Sequence, residues 1–153
     1  MKSEAAQKFR VVLVEDHPMF REQLAQLINK EPGMTVCGEA DNIHDARQLI
    51  ESKAPDIVIV DLTLKGPSGL ELIKDLKAKE IDVPILVLSM HDEALYAERV
   101  LKAGARGYIT KNEVSKEVMT AICAVLRGEF IFQAESPRAF SKALRLAEKV
   151  KTA

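Results

Sequence analysis

The sequence contains no tryptophan, and its few Phe and Tyr residues bring the aromatic share to only 5% of 153 positions. Two cysteines, seven glycines and six prolines are too few for a disulfide-stapled, collagen-like or low-complexity chain. Neither sign of charge is in excess. With 22 basic against 23 acidic side chains, the formal net charge is −1, so there is no overall pull toward nucleic acid or anionic lipid. Long apolar runs are missing too. Stretches such as Val11-Val12-Leu13-Val14 fall far short of the roughly 20 residues that span a bilayer, and residues 1–8 lack the apolar core of a signal peptide. Cys37 and Cys123 have no Cys-x-x-Cys or Cys/His neighbours. They read as small buried hydrophobes in a cytoplasmic chain.

What is present is the material of one globular domain, 47% hydrophobic and 29% charged. A chain of this length buries roughly 70% of its unfolded surface and needs neither metal nor disulfide to fold. Short β-branched runs alternate with stretches of period near 3.6. The runs predict strands at 10–14, 35–39, 57–60, 85–88 and 106–109. A first helix carries Phe20, Leu24, Leu27 and Ile28 on one face, with Pro18 in its opening turn. A second covers 43–52, with Ala46, Leu49 and Ile50 inward. A third opens on the capping-box spacing Ser68-x-x-Glu71 and buries Leu72, Ile73 and Leu76. A fourth runs from near Asp92 to Gly104, and a fifth from about Val114 to Arg127, stopping at Gly128. Strands that alternate with helices, and are themselves nearly all apolar, predict a doubly wound α/β domain around a parallel sheet. This domain occupies residues 9–128. Residues 129–153 form a linker and an amphipathic C-terminal helix, whose Phe140, Leu144, Ala147 and Val150 recur at helical spacing among five basic residues.

Ligand sites in open parallel sheets lie beyond the carboxyl ends of the strands. Glu15 and Asp16 follow the first strand, Asp61 ends the third, Ser89 the fourth, and Thr110-Lys111 the fifth. Any one of these residues is unremarkable, because acids after a strand often start turns. As a set they are not. Three carboxylates at one edge repel strongly unless one is protonated or a cation lies between them. An oxygen-only cluster suits Mg²⁺, with water and a substrate phosphate completing the octahedron. With Lys111 as a second positive charge and Ser89 as a hydroxyl donor, the set suits phosphoryl transfer to a carboxylate nucleophile.

The segments Val11-Val12-Leu13-Val14-Glu15-Asp16-His17-Pro18, Val60-Asp61-Leu62, Gly66-Pro67-Ser68-Gly69-Leu70-Glu71, Leu88-Ser89 and Gly107-Tyr108-Ile109-Thr110-Lys111 together resemble the receiver domain of bacterial two-component response regulators. The resemblance covers residues 9–128. Within it, His17-Pro18-Met19-Phe20-Arg21 and Ala103-Gly104-Ala105-Arg106-Gly107-Tyr108 are similar to receivers of the NarL/FixJ (LuxR-type) subfamily, which precede helix-turn-helix domains. The resemblance implies a flavodoxin-like (βα)5 fold, a five-stranded sheet of order 2-1-3-4-5. It also implies that Asp61 is the phosphoacceptor for a sensor histidine kinase. Mg²⁺, or Mn²⁺ in its place, would be held by Glu15, Asp16, Asp61 and the backbone carbonyl of Thr63. Lys111 would bind a phosphoryl oxygen, and Ser89 and Tyr108 would be the switch pair. Such a chain catalyses only its own phosphorylation and dephosphorylation and is not otherwise an enzyme.

Two positions depart from the common pattern. Met90 is larger than the residue usual after the switch hydroxyl, and His91 lies near the path of an attacking water. Both are candidate modulators of dephosphorylation. His17 reads as local structure beside the acidic pair.

Rival readings meet specific obstacles. A haloacid-dehalogenase-like phosphatase expects an acid two residues after its nucleophile, where this chain has Thr63. A flavodoxin-like cofactor binder expects hydroxyls and glycine after the first strand, where Glu15-Asp16 would repel phosphate. Intact Asp61 and Lys111 weigh against a receiver-like module that only binds partners. Two outputs stay open. Transcription regulation would need an output domain, and residues 129–153 are too few for one, since domains seldom fall below about 50 residues. A stand-alone receiver would act by protein contact or phosphorelay. The expected partners are a histidine kinase and a second copy of the chain as a homodimer, with no membrane, and DNA only through an output domain.

Overall fold

The computed structural model describes residues 7–62, 64, 68–89, 94–110, 116–132 and 145. Six parallel strands, β1 (Phe9–Val14), β2 (Met34–Ala40), β3 (Ile57–Asp61), β4 (Ile85–Ser89), β5 (Gly107–Thr110) and β6 (Ile131–Phe132), form one sheet of order β2-β1-β3-β4-β5-β6. Five described helices connect them: α1 (Pro18–Asn29), α2 (Ile43–Lys53), α3 (Gly69–Ala78), α4 (Ala94–Ala103) and α5 (Lys116–Leu126). The doubly wound α/β fold is as the sequence pattern predicts, and the order 2-1-3-4-5 is as the resemblance implies. A sixth strand extends that sheet at the β5 edge, pairing Gly107 with Ile131 and Tyr108 with Phe132.

The period-2 alternation of the strands sorts the core into two layers. Val12, Val14, Val58, Val60, Val87 and Tyr108 point to the face covered by α2, α3 and α4, through Ala46, Ile50, Leu72, Ile73, Leu76, Val100 and Leu101. Val11, Leu13, Ile57, Ile59, Leu86 and Ile109 point to the face covered by Leu24 and Ile28 of α1 and Val118, Ile122 and Val125 of α5. The central strands are therefore buried on both sides, and each fully buried aliphatic side chain contributes roughly 1.5–3 kcal/mol. Cys37 and Cys123 are half-buried rather than fully buried, and they pack against opposite layers with the sheet between them. Cys37 sits at a bulge, where β2 slips by one residue against Val11 and Val12 of β1.

Helix starts differ in detail from their sequence signals. Asn42 caps α2, its side-chain oxygen accepting from the Asp45 amide at 2.9 Å. Ser68 occupies the N-cap of α3, but the predicted capping box does not form. The Ser68 hydroxyl makes no cap bond, and the Glu71 amide donates to its backbone carbonyl instead. The described part of α4 begins at Ala94, so the expected start near Asp92 lies outside the described residues, as does the expected start of α5 near Val114. The amphipathic C-terminal helix also lies outside them, except for Arg145, which is helical and exposed.

Candidate functional site

Strand order reverses between β1 and β3, because β2 lies on one side of β1 and β3 on the other. A reversal leaves a crevice beyond the carboxyl ends of those two strands. The residues that reach it are Glu15 and Asp16 from β1 and Asp61, the last residue of β3. The Glu15 amide continues the ladder by donating to the Ala40 carbonyl at 2.9 Å, and the Leu62 amide donates to the Leu88 carbonyl at 2.9 Å. These two bonds hold the strand ends in place just where the acids emerge.

All three carboxylates are withdrawn from water, with side-chain exposures of 3% for Glu15, 8% for Asp16 and 0% for Asp61. One donor atom from each, together with His17 Nδ1, lies within 4.8 Å of all the others. The imidazole is 2.9 Å from Glu15 Oε2, 3.3 Å from Asp16 Oδ1 and 3.9 Å from Asp61 Oδ2, while the ring itself is mostly exposed. Its backbone amide also donates to Glu15 Oε2 at 3.0 Å. As the sequence suggests, His17 is local structure beside the acidic pair, and its ring also comes within 3.9 Å of Asp61. A residue before proline is driven into extended backbone, and His17 has φ −91° and ψ 107° ahead of Pro18. That turn brings its side chain back over the acids.

Arg21 is a second residue that sequence reasoning noted only as part of a motif. One guanidinium NH2 group donates to the Glu15 carbonyl at 2.7 Å, and Nε lies 3.4 Å from Glu39 Oε1 on β2. On the other side of the crevice, the N-terminus of α3 comes close to Asp61. A Cβ on Gly69 would stand 2.6 Å from the Asp61 carbonyl oxygen and 2.9 Å from a Val60 methyl.

Ser89 ends β4, fully buried, and pairs with Thr110 at the end of β5. Tyr108 pairs with Val87 and is also buried, on the face of the sheet that holds Val87. Ser89 therefore stands one pleat along from the Val87–Tyr108 pair, on the same face. Thr63, Met90, His91 and Lys111 lie outside the described residues.

The donor set can be tested against a divalent metal. Three buried carboxylates supply hard oxygen ligands and a charge that a cation would offset. Mg²⁺ is commonly held by one or two carboxylates plus water and phosphate oxygens. The residues fit such an ion, with Glu15, Asp16 and Asp61 to hold it.

The family profile of the response regulator receiver domain matches residues 11–123. An uncharacterized transcriptional regulatory protein of Bacillus subtilis, YxjL, is 36% identical over 126 residues, which are 82% of this chain and 58% of that protein. The nitrate/nitrite response regulator NarL of Escherichia coli is 35% identical over 121 residues, 79% of this chain and 56% of that one. A LuxR-family two-component response regulator from Aurantimonas superposes with a TM-score of 0.80 at 35% identity, covering 94% of this chain and 99% of that one. The chain spans 51–65% of the length of the first four curated relatives it matches. From the fold, the acidic crevice and these relatives together, the chain belongs to the response regulator receiver domain family and is of the NarL/LuxR type.

Proposed function

We propose that this chain is a phosphorylation-controlled switch in which Asp61 accepts a phosphoryl group from the phosphohistidine of a sensor histidine kinase. The observation that carries this reading is the convergence of Glu15, Asp16 and Asp61, from two strands, at the reversal point of the sheet. An Asp61 oxygen attacks phosphorus, the P–N bond of the phosphohistidine breaks, and its electron pair returns to the imidazole. The product is an aspartyl phosphate, which water later cleaves. Glu15, Asp16 and Asp61, with the Thr63 carbonyl, would hold Mg²⁺ or Mn²⁺, which when bound neutralises charge on the phosphoryl oxygens. Burial of Asp61 keeps water from competing with the incoming group. The chain turns over no other substrate.

The new phosphoryl group carries strong acceptor oxygens. Ser89, one strand away, donates its hydroxyl to one of them, and Lys111 binds another. Movement of Ser89 opens room that Tyr108 takes up on the same face of the sheet, biasing a two-state surface made by α4, β5 and α5. Met90 and His91 would set how long the aspartyl phosphate survives. The relatives' names support transcription regulation as the output of a longer protein; on this reading such a protein works in the cytoplasm, through an output domain and a phosphorylation-driven dimer.

Beryllofluoride, a mimic of the phosphoryl group, provides the test. With Mg²⁺ it should raise the thermal midpoint of the wild-type chain and leave Asp61→Asn unmoved. An equal rise in both proteins contradicts the assignment of Asp61.

A further inference from the structure

Arg21 is in an unexpected place for a cation. It lies in the opening turn of α1, where its own amide donates to the His17 carbonyl at 2.9 Å. Helix N-termini carry partial positive charge and favour acids over bases, yet the first turn of α1 contains no acid. Whatever holds Arg21 there acts outside the helix. Its side chain is only 24% exposed and runs back across the end of β1, placing an NH2 group on the Glu15 carbonyl and Nε against Glu39 of β2.

The Glu15 carbonyl belongs to the peptide unit that joins Glu15 to Asp16. A planar peptide moves as one body, so fixing that oxygen also fixes the direction in which the chain enters Asp16. The Glu15 amide is already fixed by the Ala40 carbonyl. With Arg21 in place, both backbone polar groups of Glu15 are anchored, one by β2 directly and the other by a cation that is itself tied to β2.

We infer that Arg21 is a positioning residue for the acidic pair, setting the aim of Asp16, and through it the affinity of the crevice for a divalent cation, by clamping the Glu15 carbonyl to β2. The inference rests on the receiver reading of the site. The clamp needs a planar fork that reaches two acceptors at once, which arginine provides and lysine does not. Partners that orient a ligand from behind typically change metal affinity by about 10–100-fold when lost.

The test is a Mg²⁺ titration of the whole chain, read in two ways: as the metal-dependent rise in thermal midpoint, and as the rate of phosphorylation by acetyl phosphate. In Arg21→Met the half-saturating Mg²⁺ concentration should rise about tenfold by both readouts, while the rate at saturating Mg²⁺ stays close to wild type. Arg21→Lys should recover part of the affinity, because an ammonium can reach one acceptor. Glu39→Gln should weaken Mg²⁺ binding by less than Arg21→Met does.

A merely structural role would lower the midpoint in EDTA without moving the half-saturating concentration, and that result overturns the inference. If Arg21→Met does not fold, Arg21→Lys decides, and wild-type Mg²⁺ affinity in it contradicts the clamp. A wild-type chain that shows no Mg²⁺ response removes the receiver reading itself, an outcome distinct from a responsive wild type with unchanged variants.

Discussion

Among single residues, Gly69 and Asp61 illustrate two opposite constraints on the same crevice. At Gly69 the constraint is steric. The first residue of α3 packs its backbone against the Asp61 carbonyl, leaving no room for a methyl group. Unlike a side-chain end, a strand carbonyl cannot move aside cheaply. Gly69→Ala should therefore cost about 1–3 kcal/mol of stability, as overpacking does, and should also slow phosphorylation by displacing Asp61. Urea unfolding measures the first effect; a wild-type midpoint would show that α3 can shift without strain. At Asp61 the constraint is electrostatic. Three carboxylates, all largely withdrawn from solvent, lie within 4.8 Å of one another, and neutralising one relieves their repulsion. In EDTA, Asp61→Asn should be more stable than wild type by about 1 kcal/mol, at the expense of function. A less stable Asp61→Asn under those conditions would mean that this carboxylate is not under net repulsion.

At the scale of elements, legibility in the sequence follows the kind of burial. Strands β1, β3 and β4 are covered on both faces, so Val11 to Val14, Ile57 to Val60 and Ile85 to Leu88 appear as unbroken apolar runs. Strand β6 has no such signature. Two residues cannot display a period, and their pairing is tertiary in origin. The Ile131 amide donates to the Arg106 carbonyl at 3.1 Å, and Gly107, lacking a Cβ, makes room for an Ile131 methyl. Phe132 then enters the core layer that holds Tyr108. Phe132→Ala should cost about 3 kcal/mol and speed amide exchange in β5; unchanged exchange there would mean β6 is not a support for Tyr108. The end of α2 is another feature set by context. Ala54 adopts φ 46° and ψ 62°, the left-handed conformation usually given to glycine. Ala54→Gly should stabilise the chain by about 0.5 kcal/mol, the relieved Cβ strain less the added freedom of the unfolded state. A lower thermal midpoint would show that the Ala54 methyl contributes packing worth more than its strain.

Across the whole molecule, the site was legible because it depends on topology more than on side-chain detail. Alternating strands and helices imply a parallel sheet, and the strand order the resemblance implies sets β1 beside β3, so that the acids at the ends of those two strands meet at one edge. What the sequence did not reveal depends on local geometry. His17 reaches the carboxylates because Pro18 dictates the backbone before it, and Arg21 reaches Glu15 because one helical turn brings it back over the strand end. Neither contact has a spacing signature. The same topology separates the tasks of the fold. The apolar layers on the two faces supply stability, while the carboxyl edge gathers charge that stability alone would not select.

The proposed switch requires that Asp61 accept a phosphoryl group by virtue of the crevice it shares with Glu15 and Asp16. The most direct measurement is peptide-mapped mass spectrometry of the whole chain after incubation with acetyl phosphate, with and without Mg²⁺. The spectrum should show the added mass of one phosphoryl group, on the peptide that contains Asp61, dependent on Mg²⁺ and absent from Asp61→Asn. Labelling on another residue, or equal labelling of Asp61→Asn, would contradict it.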